Sequence, residues 1–203
     1  MGKLAIVDYG CGNLFSLSNA LEAIGADFVI TKELSVLQAA ERILLPGVGA
    51  FGEAMQKLTD TGLVEPLREM AAQKPFLGIC VGAQLLFEYG HEFGLHRGLG
   101  LLPGEVRKIK AEGLKIPHMG WNDVQVCNPA APSFVREADG KYFYFVHSFK
   151  IDAPDAVVYA AARYGETIPA VVGRDRVMGF QFHPEKSGEA GLQLLAGFVR
   201  EAL

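Results

Sequence analysis

The alternation of strand-like and helix-like runs through the first half of the chain limits the fold more than any other feature. "LAIVDY" (residues 4–9) reads as a buried strand, and "NLFSLSNALEAIG" places Leu14, Leu17, Leu21 and Ile24 at helical spacing with Gly25 as a stop. "ADFVIT", a short helical piece from Ser35, "RILLP", and a helical stretch from about Gly52 through Gln73 broken near Gly62 repeat the pattern. "PFLGIC" then leads into the helix-like "VGAQLLFEYG". Strands separated by helices demand right-handed crossovers, and so a mostly parallel sheet covered on both faces.

The second half is richer in strands: "NDVQV", "KYFYFVHSF", "VVYAAARY", "PAVVG" and "RVMGFQFH" precede a closing helix, "GEAGLQLLAGFVREAL". That order suits an antiparallel extension of the parallel core. The expected fold is α/β, an open and mostly parallel sheet with helices on both faces and an antiparallel extension. No linker, repeat or composition break divides the chain, which predicts one domain over residues 1–203.

With 203 residues, half of them hydrophobic, such a chain can bury ~70% of its extended surface and needs no disulfide or metal staple. A net charge of -4 without a block of like charge speaks against a nucleic-acid arm or a membrane-binding face. Cys11, Cys80 and Cys127 are odd in number and widely spaced, so neither a disulfide framework nor a metal site is expected. "KLAIVDY" follows the start too closely for a signal peptide, and no apolar run approaches the ~18 residues of a membrane span. Ile6 stands where a myristoylation signal needs Ser or Thr. The expectation is a cytoplasmic protein.

Gly78-Ile79-Cys80-Val81-Gly82 has the form G-x-C-x-G, the thiol counterpart of a nucleophile elbow. Glycines two residues either side of the cysteine let a strand turn sharply into a helix. The sulfur then projects above the strand's C-terminal end, where open parallel sheets bind ligands. The helix start favours thiolate over thiol, and its backbone N–H groups, beginning with Val81, can hydrogen-bond an oxyanion. The plain alternative is a small core residue, since unpaired cysteines are commonly buried.

"RVMGFQFHPEKS" supplies a base. If Val177 to His183 is a strand, His183 lies near its end, and Glu185 returns to the same side two residues on, with Pro184 stiffening the spacing. A carboxylate beside an imidazole holds its tautomer and stabilises its cation, completing a nucleophile, base and orienter. Alone, His-Pro-Glu reads as a turn. A third segment, "LLPGVGAFGEAM", follows "RILL", so Gly47, Val48 and Gly49 can offer backbone donors at the same sheet edge or merely connect to a helix.

Taken together, "PGVGAFGEAM", "GICVGAQLL" and "GFQFHPEKS" resemble the class I glutamine amidotransferases. Within that family, "DYGCGNLFSLSNAL", "PHMGWNDV" and "YFYFVHSF" look like the glutaminase subunits of imidazole glycerol phosphate synthase. The resemblance runs from about residue 4 to the closing helix. It implies a flavodoxin-like amidotransferase fold and no cofactor. It also implies a Cys80-His183-Glu185 triad that releases ammonia from L-glutamine through a glutamyl thioester. It further implies a heterodimer with a (βα)8-barrel cyclase subunit, which uses the ammonia to convert PRFAR to imidazole glycerol phosphate and AICAR.

The resemblance assigns Val81 and Gly47-Val48-Gly49 to the oxyanion region. Gln84, His147, Ser148 and Phe149 fall in the glutamine pocket, and Glu92 at the substrate's amino group through a looser match. Phe149 replaces a common Tyr, so any hydroxyl contact there is lost or replaced. Asn13, His118, Trp121, Tyr144 and Lys186 match positions near the cyclase interface or the ammonia passage. Read without the resemblance, Trp121 is a core aromatic and Lys186 a solvated charge. His91 and His96, without ligand-like spacing, read as surface residues.

Four rivals stand beside this reading. A dinucleotide binder would use "DYGCGNLF", but Phe15 stands at the third glycine position and Glu33 is a poor ribose-binding acid. A non-catalytic flavodoxin-like module would need no triad. A glutaminase of another pathway, such as pyridoxal 5′-phosphate synthase, would share the triad but not the partner-face motifs, and a related peptidase would leave those motifs without use.

Overall fold

The computed structural model describes residues 3–201. Four βα steps open the chain. Strands β1 (Leu4–Val7), β2 (Phe28–Thr31), β3 (Arg42–Leu45) and β4 (Phe76–Ile79) are separated by helices α1 (Leu14–Ala23), α2 (Leu34–Ala39), α3 (Phe51–Asp60) and α4 (Val64–Ala71). A short helix α5 (Val81–Gln84) follows β4, and then strands β5 (Tyr89–Gly90), β6 (His96–Arg97), β7 (Glu105–Lys108), β8 (His118–Asp123) and β9 (Gln125–Val126). After α6 (Ser133–Arg136) come β10 (Tyr142–His147), β11 (Phe149–Asp152), β12 (Val158–Tyr164), β13 (Glu166–Arg174) and β14 (Val177–Phe180), and α7 (Gly188–Arg200) closes the described chain.

The main sheet has the order β2-β1-β3-β4-β14-β13-β12-β9. From β2 to β14 all neighbours are parallel, and from β14 to β9 all are antiparallel. The expected α/β sheet with an antiparallel extension is thus the observed architecture. Every residue of β1, β4 and β14 is buried. Both faces of the central sheet are therefore covered, which is why these strands read as continuous apolar runs rather than alternating ones. Asn13 caps α1 by accepting the Ser16 N–H at 3.2 Å, and Gly62, with φ of +72°, separates α3 from α4 where a break was expected.

Two stretches differ from their sequence reading. "VGAQLLFEYG" is helical only as far as Gln84, because the Leu85 and Leu86 carbonyls accept from the N–H groups of Leu99 and Leu101, both at 2.8 Å, instead of from a continuing helix. "KYFYFVHSF" is not one strand. It breaks at Ser148, so that β10 pairs with β8 in a two-stranded ribbon while β11 pairs with β7 in a separate four-stranded sheet. The break carries the chain past the C-terminal end of β4, where the site forms.

Candidate active site

Parallel β4 delivers the chain to a turn at Cys80, whose φ of 53° and ψ of -112° are strained for a residue with a side chain. Such a conformation costs about 1–3 kcal/mol and persists only where the surroundings enforce it. Here the Cys80 N–H donates to Phe180 O at 2.7 Å, and its carbonyl accepts from Ala83 and Gln84 at 3.0 and 3.1 Å. The flanking glycines are required by contact. A Cβ at Gly82 would collide with the Leu45 carbonyl, and one at Gly78 would lie 2.7 Å from Ala83 N.

His183 sits beyond β14, because the strand expected over Val177 to His183 stops at Phe180, three residues short of the histidine. Strand pairing ends at Phe180, and the His183 N–H instead donates to Tyr144 O at 2.9 Å. Ser187 Oγ donates to the His183 carbonyl at 2.6 Å and accepts the Tyr144 N–H at 3.0 Å, locking the segment to β10. Pro184 starts a single 3-10 turn that brings Glu185 Oε1 to 2.7 Å from His183 Nδ1, with both side chains only 3% exposed. Burial by itself would depress the imidazole's pKa. The Cys80 sulfur and the Glu185 carboxylate outweigh it and raise the value to about 10.

Cys80 and His183 line one cavity of about 330 Å³ together with Val48, Gly49, Val81, Gln84, Glu92, His147, Ser148 and Phe149, and with Pro117 and Val146. Gly47 lies behind the wall, packed so closely on the Val81–Gly82 peptide that no Cβ would fit. Glu92 Oε2 accepts the Phe51 N–H at 2.9 Å, pinning the β5–β6 hairpin to the start of α3 directly after the 47–49 loop. Gln84 Nε2 donates to Phe149 O and to Gln181 Oε1, both at 3.0 Å, so its amide nitrogen is committed to the cavity wall.

Comparison with known proteins bears on this cavity. The family described as Glutamine amidotransferase class-I matches residues 5–202. The chain belongs to that family. Among curated relatives, this amidotransferase is 47% identical to the imidazole glycerol phosphate synthase subunit HisH of Synechococcus elongatus, over 98% of this chain and 93% of that one. It is 46% identical to the Bacillus cereus HisH over 96% and 93%, and 46% identical to the Lactococcus lactis HisH over 99% and 100%. Among solved structures, a glutamine amidotransferase superposes with a TM-score of 0.75 at 18% identity, covering 97% of each chain. PurLQS from Thermotoga maritima superposes with a TM-score of 0.74 at 21% identity, covering 98% of each. These two share the fold. The HisH relatives place the chain with the glutaminase subunits of imidazole glycerol phosphate synthase, an enzyme of histidine biosynthesis.

The residues assigned to the amidotransferase's partner side divide into two groups. Trp121 is 56% exposed on the outer face of β8, edge-on to Tyr144 at 6.3 Å, and is not a core aromatic. Lys186 Nζ lies 5.9 Å from the Tyr144 ring centroid, and Met119 and Phe15 are exposed. His118, in contrast, is buried, and faces inward to His147 at 3.0 Å. Strand alternation puts it on the opposite face from Met119 and Trp121. Asn13 is occupied in capping α1 and lines a very small recess with Gly47, His183 and Glu185.

His91 and His96 are half-buried rather than free at the surface. His91 pairs with Glu105, and the His96 ring fills the space over Gly52. Sequence reasoning also missed Tyr9, whose buried hydroxyl donates to Pro46 O at 2.6 Å beside the 47–49 loop, and Pro117, Val146 and Gln181 in or behind the wall. Of these, only Tyr9 had a sequence signal, a polar aromatic closing an apolar strand. Among the described residues no helix is long and apolar enough to cross a membrane, and no cluster of His, Cys, Asp and Glu could hold a metal ion.

Proposed function

We propose that Cys80, His183 and Glu185 are the nucleophile, base and orienter that hydrolyse the side-chain amide of L-glutamine. Cys80 Sγ, paired as thiolate with the His183 imidazolium, attacks the amide carbon. The resulting oxyanion is met by the Val81 N–H and by a donor from Gly47-Val48-Gly49. His183 gives its proton to the departing nitrogen, the C–N bond breaks, and ammonia leaves a glutamyl thioester. His183 then deprotonates a water that attacks the thioester, and glutamate departs as Cys80 is regenerated. Glu185 holds Nδ1 throughout, which keeps the working nitrogen turned to the cysteine.

The observation that carries the reading is the burial of one imidazole between a carboxylate and an elbow cysteine in a single cavity. Gln84, Glu92, His147, Ser148 and Phe149 then bind the glutamine around it. The exposed Trp121, with Tyr144 and Lys186, receives the (βα)8-barrel cyclase subunit, and the recess beside Asn13 lies on the ammonia's route to it. The heterodimer works in the cytoplasm.

Turnover of glutamine by wild type and Cys80→Ala, each alone and mixed with the cyclase and its nucleotide, tests this. Wild type is expected to be weak alone and strongly stimulated in the mixture, because an uncoupled site would waste glutamine and the 47–49 loop can reorient on assembly. Equal turnover with and without the partner would reject the coupling. Turnover by Cys80→Ala would reject the mechanism.

A further inference from the structure

The β8–β10 ribbon holds two histidines that the mechanism above does not use as acid or base. His118 and His147 are register partners on its inner face, and both are buried. The His118 ring is stacked between Phe145 and Tyr164, with centroids at 4.7 and 4.1 Å and interplanar angles of 22° for each.

The hydrogen bonds around these rings permit only one arrangement of protons. His147 Nδ1 lies 2.8 Å from Phe149 O, and a carbonyl only accepts, so Nδ1 carries hydrogen. In a neutral ring His147 Nε2 is then a bare acceptor, and His118 Nδ1, 3.0 Å away, donates to it. His118 Nε2 is left to accept from Asn122 Nδ2 at 3.2 Å, and the same amide nitrogen donates to Arg163 O at 2.9 Å. Every link has one donor and one acceptor while both rings are neutral. A proton added to either ring would set two N–H groups against each other. Burial depresses both pKa values to about 4, which keeps the rings neutral under working conditions.

The chain ends on the Phe149 carbonyl, which also accepts from Gln84 Nε2 at 3.0 Å. That carbonyl is therefore held from two sides, by the helix that follows the elbow and by the ribbon, at the point where Ser148 and Phe149 form the wall facing Cys80.

We propose that His118 is a positioning residue for the glutamine pocket: its Nδ1–H donated to His147 Nε2 holds the His147 ring in place, and with it the Nδ1–H bond to the Phe149 carbonyl and the Ser148–Phe149 wall. The inference rests on the glutaminase reading. His118 touches no substrate, and its loss changes how glutamine is seated rather than the reactivity of Cys80.

The test compares wild type with His118→Phe, which keeps the stacked ring but loses the donor, and His118→Asn, whose amide nitrogen falls near the position of Nδ1. KM for glutamine is expected to rise about tenfold in His118→Phe, with kcat changed less, and to return to within about threefold of wild type in His118→Asn. Alkylation of Cys80 by iodoacetamide, which needs no amino-acid pocket, should stay within twofold in both. A KM within twofold of wild type in His118→Phe overturns the proposal, as does equal impairment of both variants with slowed alkylation. Should His118→Phe fail to fold, Asn122→Leu, which removes the next link, is expected to raise KM two- to fivefold, and an unchanged KM there overturns it equally. Ring 15N shifts of the wild type should show the Nδ1–H tautomer at both histidines, and any other pattern refutes the chain of bonds. A wild type that never turns over glutamine sinks the glutaminase reading instead, while the 15N pattern still decides the hydrogen bonding.

Discussion

His183 Nδ1 lies 2.7 Å from Glu185 Oε1 with both side chains nearly sealed from solvent, and the imidazole's other neighbour in this pocket is a cysteine held in a left-handed turn. The short contact fixes the tautomer, and the burial makes its charge state matter.

Replacing Glu185 with Gln keeps the shape and removes the charge. The imidazolium loses a stabilising partner and the tautomer is no longer enforced. Glutamine turnover is expected to fall on the order of 10²–10⁴-fold, with KM little changed. Steady-state kinetics in the presence of the partner would check this, and turnover within tenfold of wild type would rule out the orienting role.

Stability should depend on pH with opposite signs at the two histidine sites. The folded-state pKa of His183 is raised to about 10, so its contribution is complete below the unfolded value of about 6.5 and is lost as pH rises toward 10. His118 and His147 are depressed to about 4, so the unfolded chain binds more protons between pH 4 and 6.5, and stability is lost as pH falls through that window. Tm is expected to fall on both sides of neutrality. In Glu185→Gln the alkaline fall should shrink while the acid fall remains, and an unaltered alkaline limb would contradict the assignment.

The strain at Cys80 predicts that two inactive variants differ in stability. Alanine keeps a Cβ at φ of 53°, whereas glycine adopts that backbone freely. Cys80→Gly is expected to exceed Cys80→Ala in stability by about 1 kcal/mol, although glycine ordinarily costs that much. Urea melts of the two proteins would show the order, and the reverse order would mean that the turn is not strained.

Gly82→Ala should be among the most damaging small substitutions in the chain. Its Cβ would meet the Leu45 backbone carbonyl, which cannot swing aside as a side chain can. A loss of about 2–4 kcal/mol is expected, together with slowed alkylation of Cys80 as the elbow opens. Denaturant melts and a thiol-labelling time course would measure the two effects.

Under the proposed assembly, Trp121→Ala should leave the isolated subunit's stability within about 1 kcal/mol, since the ring is mostly exposed, yet weaken association with the proposed cyclase subunit by about 2 kcal/mol or more. Lys186→Ala should cost about 0–1 kcal/mol. Binding isotherms for the two variants would separate them, and unchanged affinity in Trp121→Ala would move the interface elsewhere.

Much of the parallel core was legible because its strands are buried on both faces and its helices show regular spacing and glycine stops, as at Leu4–Val7 and Gly62. The elbow was legible for a related reason: two glycines around Cys80 answer steric demands that are local in sequence. The end of α5 and the break at Ser148 were not, since distant backbone partners, Leu99 and Leu101 in one case and β7 and β8 in the other, decide where those elements stop.

His118 shows the same division most clearly. Its motif suggested the partner side, but a period of two along β8 separates it from Met119 and Trp121, and only the pairing with β10 says which face is inward. The alternating architecture, the turn at Cys80 and the spacing of His183 to Glu185 could be read from residue order, because each is set by neighbours close along the chain. That His183 and Cys80 line one cavity, and that His118 and His147 share a hydrogen bond, came from the folded chain alone, because both depend on contacts between segments that local geometry leaves free.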